Sequence, residues 1–229
     1  MLRRMMPSPP RPPDPALSGM TTGVFLSFEG IDGSGKSTQA RRLAEALRAT
    51  GRDVVLTREP GGSAGAEEIR SLVLEGDPDR WSAETEILLF TAARRDHLER
   101  TILPALARGA VVICDRFADS TRVYQGISRG DLQDVVNQLH TLMIGREPDI
   151  TVLIDMDPED GLARALSRKG HEERFETFGL VLQQAMRRGF LDLAKAAPDR
   201  FRVIDGAGSA DAVFDRLIAA LPELPEARA

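Results

Sequence analysis

Cysteine is almost missing from this 229-residue chain: Cys114 is the only one, so no internal disulfide can form. Its place in the apolar run Val111 to Cys114 points to a buried thiol in a reducing, cytoplasmic compartment. Histidine is scarce as well, and His97, His140 and His171 are scattered without ligand spacing, which gives a zinc cluster no support. No stretch approaches the roughly 18 apolar residues of a membrane span, so no membrane partner is expected. Positive charge is not in excess: 30 Lys and Arg against 35 Asp and Glu give a formal net charge of −5. A dominant nucleic-acid surface would need the opposite balance, so no nucleic acid is expected either. The only asparagine, Asn137, is followed by Gln138 and Leu139, which excludes an Asn-Lys-x-Asp guanine-reading element. What remains is a soluble chain whose partners are small molecules.

The octapeptide Gly30-Ile31-Asp32-Gly33-Ser34-Gly35-Lys36-Ser37 fits the phosphate-loop pattern G-x-x-x-x-G-K-[ST]. An apolar run, Val24 to Phe28, precedes it and a helix-like run, Thr38 to Arg48, follows, which is the strand-loop-helix context the pattern needs. The glycines let successive backbone N–H groups turn toward one point, the helix start adds partial positive charge, and the lysine reaches the terminal phosphates. Gly30 through Thr38 are therefore the candidate ATP cradle, with Ser37 a candidate Mg²⁺ ligand.

Four more apolar runs have the length of buried parallel strands: Asp53 to Thr57, Ala110 to Cys114, Ile150 to Asp155 and Phe201 to Asp205. Apolar residues three and four apart predict helices over Glu67 to Leu74, Ala83 to His97, Leu132 to Ile144, Pro158 to Ser167, Leu180 to Ala197 and Ala210 to Leu221. The alternation predicts an α/β chain of phosphate-loop NTPase fold, a five-stranded parallel sheet flanked by helices on both faces. Its ligand crevice should lie beyond the strand C-termini. Residues 1–20 are Pro-rich and without helical period, and are expected to form a disordered arm ahead of a domain at 21–229.

Several strand ends run into chemistry. The second leads into Arg58-Glu59-Pro60-Gly61-Gly62, a tight turn that leaves Arg58 in the crevice, where a guanidinium can grip phosphate with two bonds. The third ends in Asp115-Arg116-Phe117. There Asp115 is a candidate Mg²⁺ ligand through water and Arg116 a candidate for neutralising the transferring phosphoryl group, with a plain Asp–Arg ion pair as the alternative. Arg164, Arg168, Lys169 and Arg174 surround the turn Lys169-Gly170-His171, a lid-like pattern at about 161–176. The bland alternative is an Arg-rich helix end paired with Glu172, Glu173 and Glu176.

Together these motifs resemble the bacterial thymidylate kinase family. GIDGSGKST, TREPGG at Thr57 to Gly62, LLFTAARRDH at Leu88 to His97, DRFADSTRVYQG at Asp115 to Gly126 and PDITVLIDMDPEDGLAR from Pro148 occur in its order and spacing, over about residues 22–220. The resemblance implies a nucleoside monophosphate kinase domain at 21–229 with a lid at about 161–176. It implies phosphoryl transfer from ATP to dTMP with Mg²⁺, and a homodimer through the helices around Ala83 to His97 and Leu132 to Ile144. It further implies that Phe90 stacks on thymine, Arg94 donates to O4, Ser120 and Thr121 lie along the nucleotide, and Tyr124 with Gln125 excludes a 2′-hydroxyl. Asp32 would face the sugar 3′-OH, with Arg58 and Arg116 on the acceptor phosphate. Between Gly30 and Gly35 there is no arginine, so the chain is similar to the subclass that keeps its catalytic arginines in the lid. Lys36, Arg116 and Arg168 are then the catalytic cations, and Arg164 and Arg174 assist at ATP. Phe117 stands where family members commonly have Tyr or His. From composition alone, Phe90 and Tyr124 would read first as core aromatics.

A phosphate acceptor has its second pKa near about 6, so its oxygen is already largely ionised and no general base is required. Two rivals stay open at this level. One is a kinase for another nucleotide or a nucleoside, for which Glu29 and Glu59 are the convenient bases; the other is an ATP-dependent switch.

Overall fold

The structure is a computed structural model that describes residues 23–77, 80–126, 132–167 and 179–221. The arm at 1–20 and the part of the expected lid from 168 to 176 lie outside the described residues.

Strands β1 (Val24–Glu29), β2 (Val54–Arg58), β3 (Val111–Asp115), β4 (Ile150–Asp155) and β5 (Phe201–Asp205) form one parallel sheet in the order β2-β3-β1-β4-β5. Around it run α1 (Lys36–Ala49), α2 (Ala64–Leu74), α3 (Ala83–His97), α4 (Leu103–Ala107), α5 (Ala118–Tyr124), α6 (Gln133–Leu139), α7 (Pro158–Ser167), α8 (Leu180–Ala196) and α9 (Ala210–Ala220). The expected strands are present and a helix stands at every expected span, the one at Leu132 to Ile144 ending in a π-type turn at His140–Ile144, so the predicted fold class holds.

Both faces of β1 are covered, which is why its sequence is a continuous apolar run and not an alternation. Leu26 and Phe28 pack with Ala40 and Leu43 of α1 and with Val213 and Leu217 of α9. Phe25, on the opposite face, packs with Leu98, Ile102, Ala105 and Leu106. A third cluster joins Ile31, Val123 and Tyr124 to Met186 and Phe190 of α8.

Two helices were not foreseen. Beyond His97, α3 widens into a π-type turn at Leu98–Ile102 and continues as α4. Pro104 sits in the first turn of α4 and cannot donate to the ladder, and the N–H of Leu103 bonds back five residues to Leu98. The second, α5, spans only seven residues and buries charge beside Val123 and Tyr124 of the third cluster. Asp119, almost fully buried, accepts from Arg122 at 2.7 Å and from Arg200 at 2.6 Å. Hydrophobic periodicity does not register the ion-paired part of a helix face.

The strand order reverses beside β1, so the crevice opens beyond the C-terminal ends of β1 and β3.

Candidate active site

β1 feeds the phosphate loop, which turns through Gly30, Gly33 and Gly35 at φ of 140, 78 and 91° before α1 begins at Lys36. Such angles are inexpensive only for glycine. A Cβ on Gly30 would also lie 2.6 Å from the carbonyl oxygen of Ile154. The side chain of Ile31 is committed to the core, so its contribution to the loop falls to the backbone. The amide of Thr38 bonds Gly35 O at 3.0 Å, and Ser34 Oγ is buried without a hydrogen-bond partner among the described residues. Lys36 Nζ donates to Ile31 O at 3.3 Å and lies 3.6 Å from Asp32. Burial, with Arg116 nearby, pulls its ammonium below the usual lysine value.

A cavity of ≈ 950 Å³ opens at the strand ends. It is lined by Asp32, Gly33, Lys36, Ser37, Arg58, Phe90, Arg94, Asp115, Arg116, Ser120, Thr121, Tyr124 and Gln125. Residues expected at the donor, at the acceptor and at the metal thus share one space. Arg164 is exposed on α7 and is not part of that lining, although its neighbour Ala165 is. Arg168 and Arg174 lie outside the described residues.

Arg116 is the one non-glycine among the described residues with positive φ, 72°. Its guanidinium pairs with Asp32 and donates to Ser120 Oγ at 2.9 Å, Tyr124 Oη at 3.0 Å and Gly30 O at 3.3 Å. The Tyr124 hydroxyl in turn donates to Asp32 Oδ2 at 3.0 Å. Burial opposes ionisation of Asp32, but Arg116 and Lys36 outweigh it and hold the carboxyl below its usual value. The ion pair foreseen as an alternative at the end of β3 therefore runs from Arg116 to Asp32, not to its neighbour Asp115. Asp115 keeps a buried carboxylate oxygen, Oδ1, with no hydrogen-bond partner among the described residues. An orphaned carboxylate oxygen, with the Ser37 hydroxyl on the same cavity, is a donor set that fits Mg²⁺.

The two carboxylates that a nucleoside kinase would use are engaged elsewhere. Glu29 accepts from the Phe117 amide at 2.7 Å and from Ser120 Oγ at 2.6 Å. Burial, reinforced by Asp119, pushes its carboxyl up to about 8. Glu59 accepts from Arg94 Nε at 2.7 Å and pairs with His97 Nδ1 at 3.0 Å. Phe117 contributes through its backbone while its ring packs edge-on against Phe25, centroids 5.0 Å apart, which suits an apolar ring at that position.

Phe90 and Arg94, four apart on α3, both line the cavity, as helical spacing requires of one face. Arg58 is exposed and pairs with Glu67 at 3.1 Å. Sequence reasoning missed His97, which stands three residues after Arg94 and so shares its helix face. Glu59, His97 and Cys114 bring ligand-type atoms within 4.8 Å of one another. Each is already hydrogen-bonded, Glu59 and His97 to one another and the thiol to Arg116 O at 2.9 Å.

Comparison with known proteins converges on this geometry. The family model described as Thymidylate kinase matches residues 28–217. The thymidylate kinase of Ruegeria pomeroyi is 78% identical over 192 residues, 84% of this chain and 91% of that protein. That of Caulobacter vibrioides is 52% identical over 206 residues, covering 90% of this chain and 97% of its own length. Among solved structures, thymidylate kinase from Ehrlichia chaffeensis superposes with a TM-score of 0.70 at 37% identity, covering 86% of this chain and 97% of that one. With its phosphate loop, its cavity and these matches over most of its length, the chain belongs to the thymidylate kinase family.

Proposed function

We propose that the cavity divides the family's reaction, transfer of the γ-phosphoryl group of ATP to the 5′-phosphate of dTMP to give ADP and dTDP, into a donor half and an acceptor half. The donor half is the loop Gly30 to Thr38 with Lys36. The acceptor half is Phe90 and Arg94 at the base, Asp32, Tyr124 and Gln125 at the sugar, Ser120 and Thr121 along the nucleotide, and Arg58 and Arg116 at the phosphate. The observation that carries this reading is the single cavity on which Lys36, Arg116 and the Phe90–Arg94 pair all open.

The acceptor oxygen is already ionised, so catalysis reduces to alignment and charge neutralisation. Glu29 and Glu59, both spent on hydrogen bonds, are consistent with a reaction that asks for no base. Lys36 and Arg116 offset the repulsion between two phosphates brought within bonding reach. Ser37 and Asp115 would hold Mg²⁺, which when bound neutralises charge on the phosphate oxygens. Arg168, with Arg164 and Arg174, enters from the sequence as a further source of positive charge.

Two finer points belong here. A homodimer is supported by the apolar face that α3, α6 and the π-type turn His140–Ile144 after it expose, with Leu88 at 56% and Leu142 at 79% exposure beside Val135 and Met143. A cytoplasmic setting is supported by the free thiol of Cys114. Among the described residues no helix is long and apolar enough to cross a membrane.

Titrating dTMP into protein saturated with a non-hydrolysable ATP analogue tests the division into halves. Binding of dTMP with little change in affinity is expected, whereas mutual exclusion would overturn the arrangement.

A further inference from the structure

We propose that His97 is a specificity-determining positioning residue: acting through Glu59, it fixes the edge of the Arg94 guanidinium that reads the base. The inference rests on the assignment of Arg94 to the base. Arg94 is 4% exposed and its fork is mostly consumed inside the protein. Nε donates to Glu59 Oε2 at 2.7 Å, while Nη2 donates to Thr121 Oγ1 at 2.9 Å and to Phe117 O at 3.3 Å. The Phe117 ring covers one side, its centroid 5.1 Å from the guanidinium carbon. Nη1 has no partner among the described residues, and Arg94 lines the cavity. Because the guanidinium is planar, fixing Nε and Nη2 also fixes the direction of Nη1.

One bond from Glu59 would not suffice, since a carboxylate held at a single oxygen can turn about its last torsion. His97 removes that freedom by pairing Nδ1 with the other oxygen, Oε1, at 3.0 Å. A carboxylate can only accept, so Nδ1 carries a proton and donates to Oε1. Nε2 is hydrogen-bonded to Thr57 Oγ1 at 2.8 Å, which holds the ring at its other end. The ring is fully buried, and Gly62 passes so close that a Cβ there would stand 2.4 Å from Nε2. Thr57, His97, Glu59, Arg94 and Thr121 thus form one bonded chain from the end of β2 through α3 to α5.

The consequence concerns discrimination. A donor locked in place accepts the carbonyl O4 of thymine and meets the amino group of cytosine with no acceptor. A guanidinium free to swing can withdraw and admit cytosine. Loss of His97 should therefore relax selectivity more than it slows transfer.

The test is steady-state kinetics with dTMP and dCMP for His97→Ala, His97→Asn, His97→Gln and Arg94→Ala. In His97→Ala, KM for dTMP should rise about tenfold and the dTMP/dCMP ratio of kcat/KM should narrow about tenfold, while kcat with dTMP falls by no more than about threefold. His97→Asn sets an amide nitrogen where Nδ1 stood and should recover most of the ratio. His97→Gln sets it where Nε2 stood and should not. If Arg94→Ala narrows the ratio but a folded His97→Ala leaves it unchanged, the inference is overturned while the base-reading role stands. If Arg94→Ala leaves the ratio unchanged, the base-reading role itself has failed and the inference with it. Should His97→Ala not fold, the Asn and Gln variants decide, and equal ratios in those two overturn the proposal.

Discussion

Gly33 in the phosphate loop and Gly161 in the first turn of α7 meet backbone to backbone: a Cβ on Gly33 would lie 1.9 Å from the Gly161 carbonyl oxygen. The G-x-x-x-x-G-K-[ST] pattern leaves position 33 free, so the demand for glycine there comes from the fold. Through this contact the ATP cradle leans on the helix that leads toward the expected lid.

Substituting the two loop glycines separates strain from contact. Gly35 has φ of 91° but nothing within 4 Å of a Cβ, whereas Gly33 has φ of 78° and the Gly161 carbonyl in the way. Gly35→Ala should cost roughly the 1–2 kcal/mol of left-handed strain, and Gly33→Ala clearly more. Thermal denaturation of both variants checks the order; equal losses would mean the contact carries no weight.

Lys36→Ala should lower kcat by at least about a hundredfold, because the ammonium acts on charge that develops in the transition state. Affinity for dTMP should change little, since Asp32 retains Arg116 as its partner. Calorimetric dTMP binding beside initial rates measures both, and near-normal turnover would remove Lys36 from the chemistry.

Glu29 links stability to pH with a definite sign. Below about 4.5 both states hold the proton; between there and about 8 the folded carboxyl keeps it while the unfolded chain loses it. Rising pH through that window therefore favours unfolding, by up to about 1.4 kcal/mol per unit from this group. Glu29→Gln keeps a neutral group of the same shape and should flatten that slope. Denaturant midpoints at about pH 5 and pH 7.5 compare the two, and parallel losses in wild type and variant would show that the carboxyl is ionised in the fold.

A single charge tests the dimer. Leu142→Glu places a carboxylate on the exposed apolar face shared by α3, α6 and the turn His140–Ile144, and should shift sedimentation from dimer toward monomer. Wild-type protein that sediments as a monomer at micromolar concentration would remove the dimer outright.

What was legible in the sequence follows from which forces leave a local trace. Fully covered strands leave continuous apolar runs, so β1 to β5 lie within one residue of their expected positions. Glycine at forced angles leaves a spacing, so the phosphate loop was plain. α5 was invisible because it is short and buries Asp119 and Arg122 beside its apolar residues, and Arg200, which pairs with Asp119, lies some eighty residues away in the chain. The same holds for the ion pair of Arg116, weighed only as an alternative with Asp115, which runs to Asp32 in the phosphate loop, 84 residues away in the chain. The Glu59–His97 bond joins residues 38 apart, and only the three-residue step from Arg94 to His97 hinted at it.

The central claim is that this cavity phosphorylates dTMP by alignment and charge, without a base. ADP release measured with dTMP, dUMP, dCMP, dGMP and thymidine as acceptors, with ATP and Mg²⁺ held constant, tests it most directly. The account predicts the highest kcat/KM for dTMP, dUMP next because it presents the same O4 to Arg94, and dCMP, dGMP and thymidine lower by about a hundredfold or more. Turnover of thymidine equal to that of dTMP, or ADP release that does not depend on any acceptor, would contradict it.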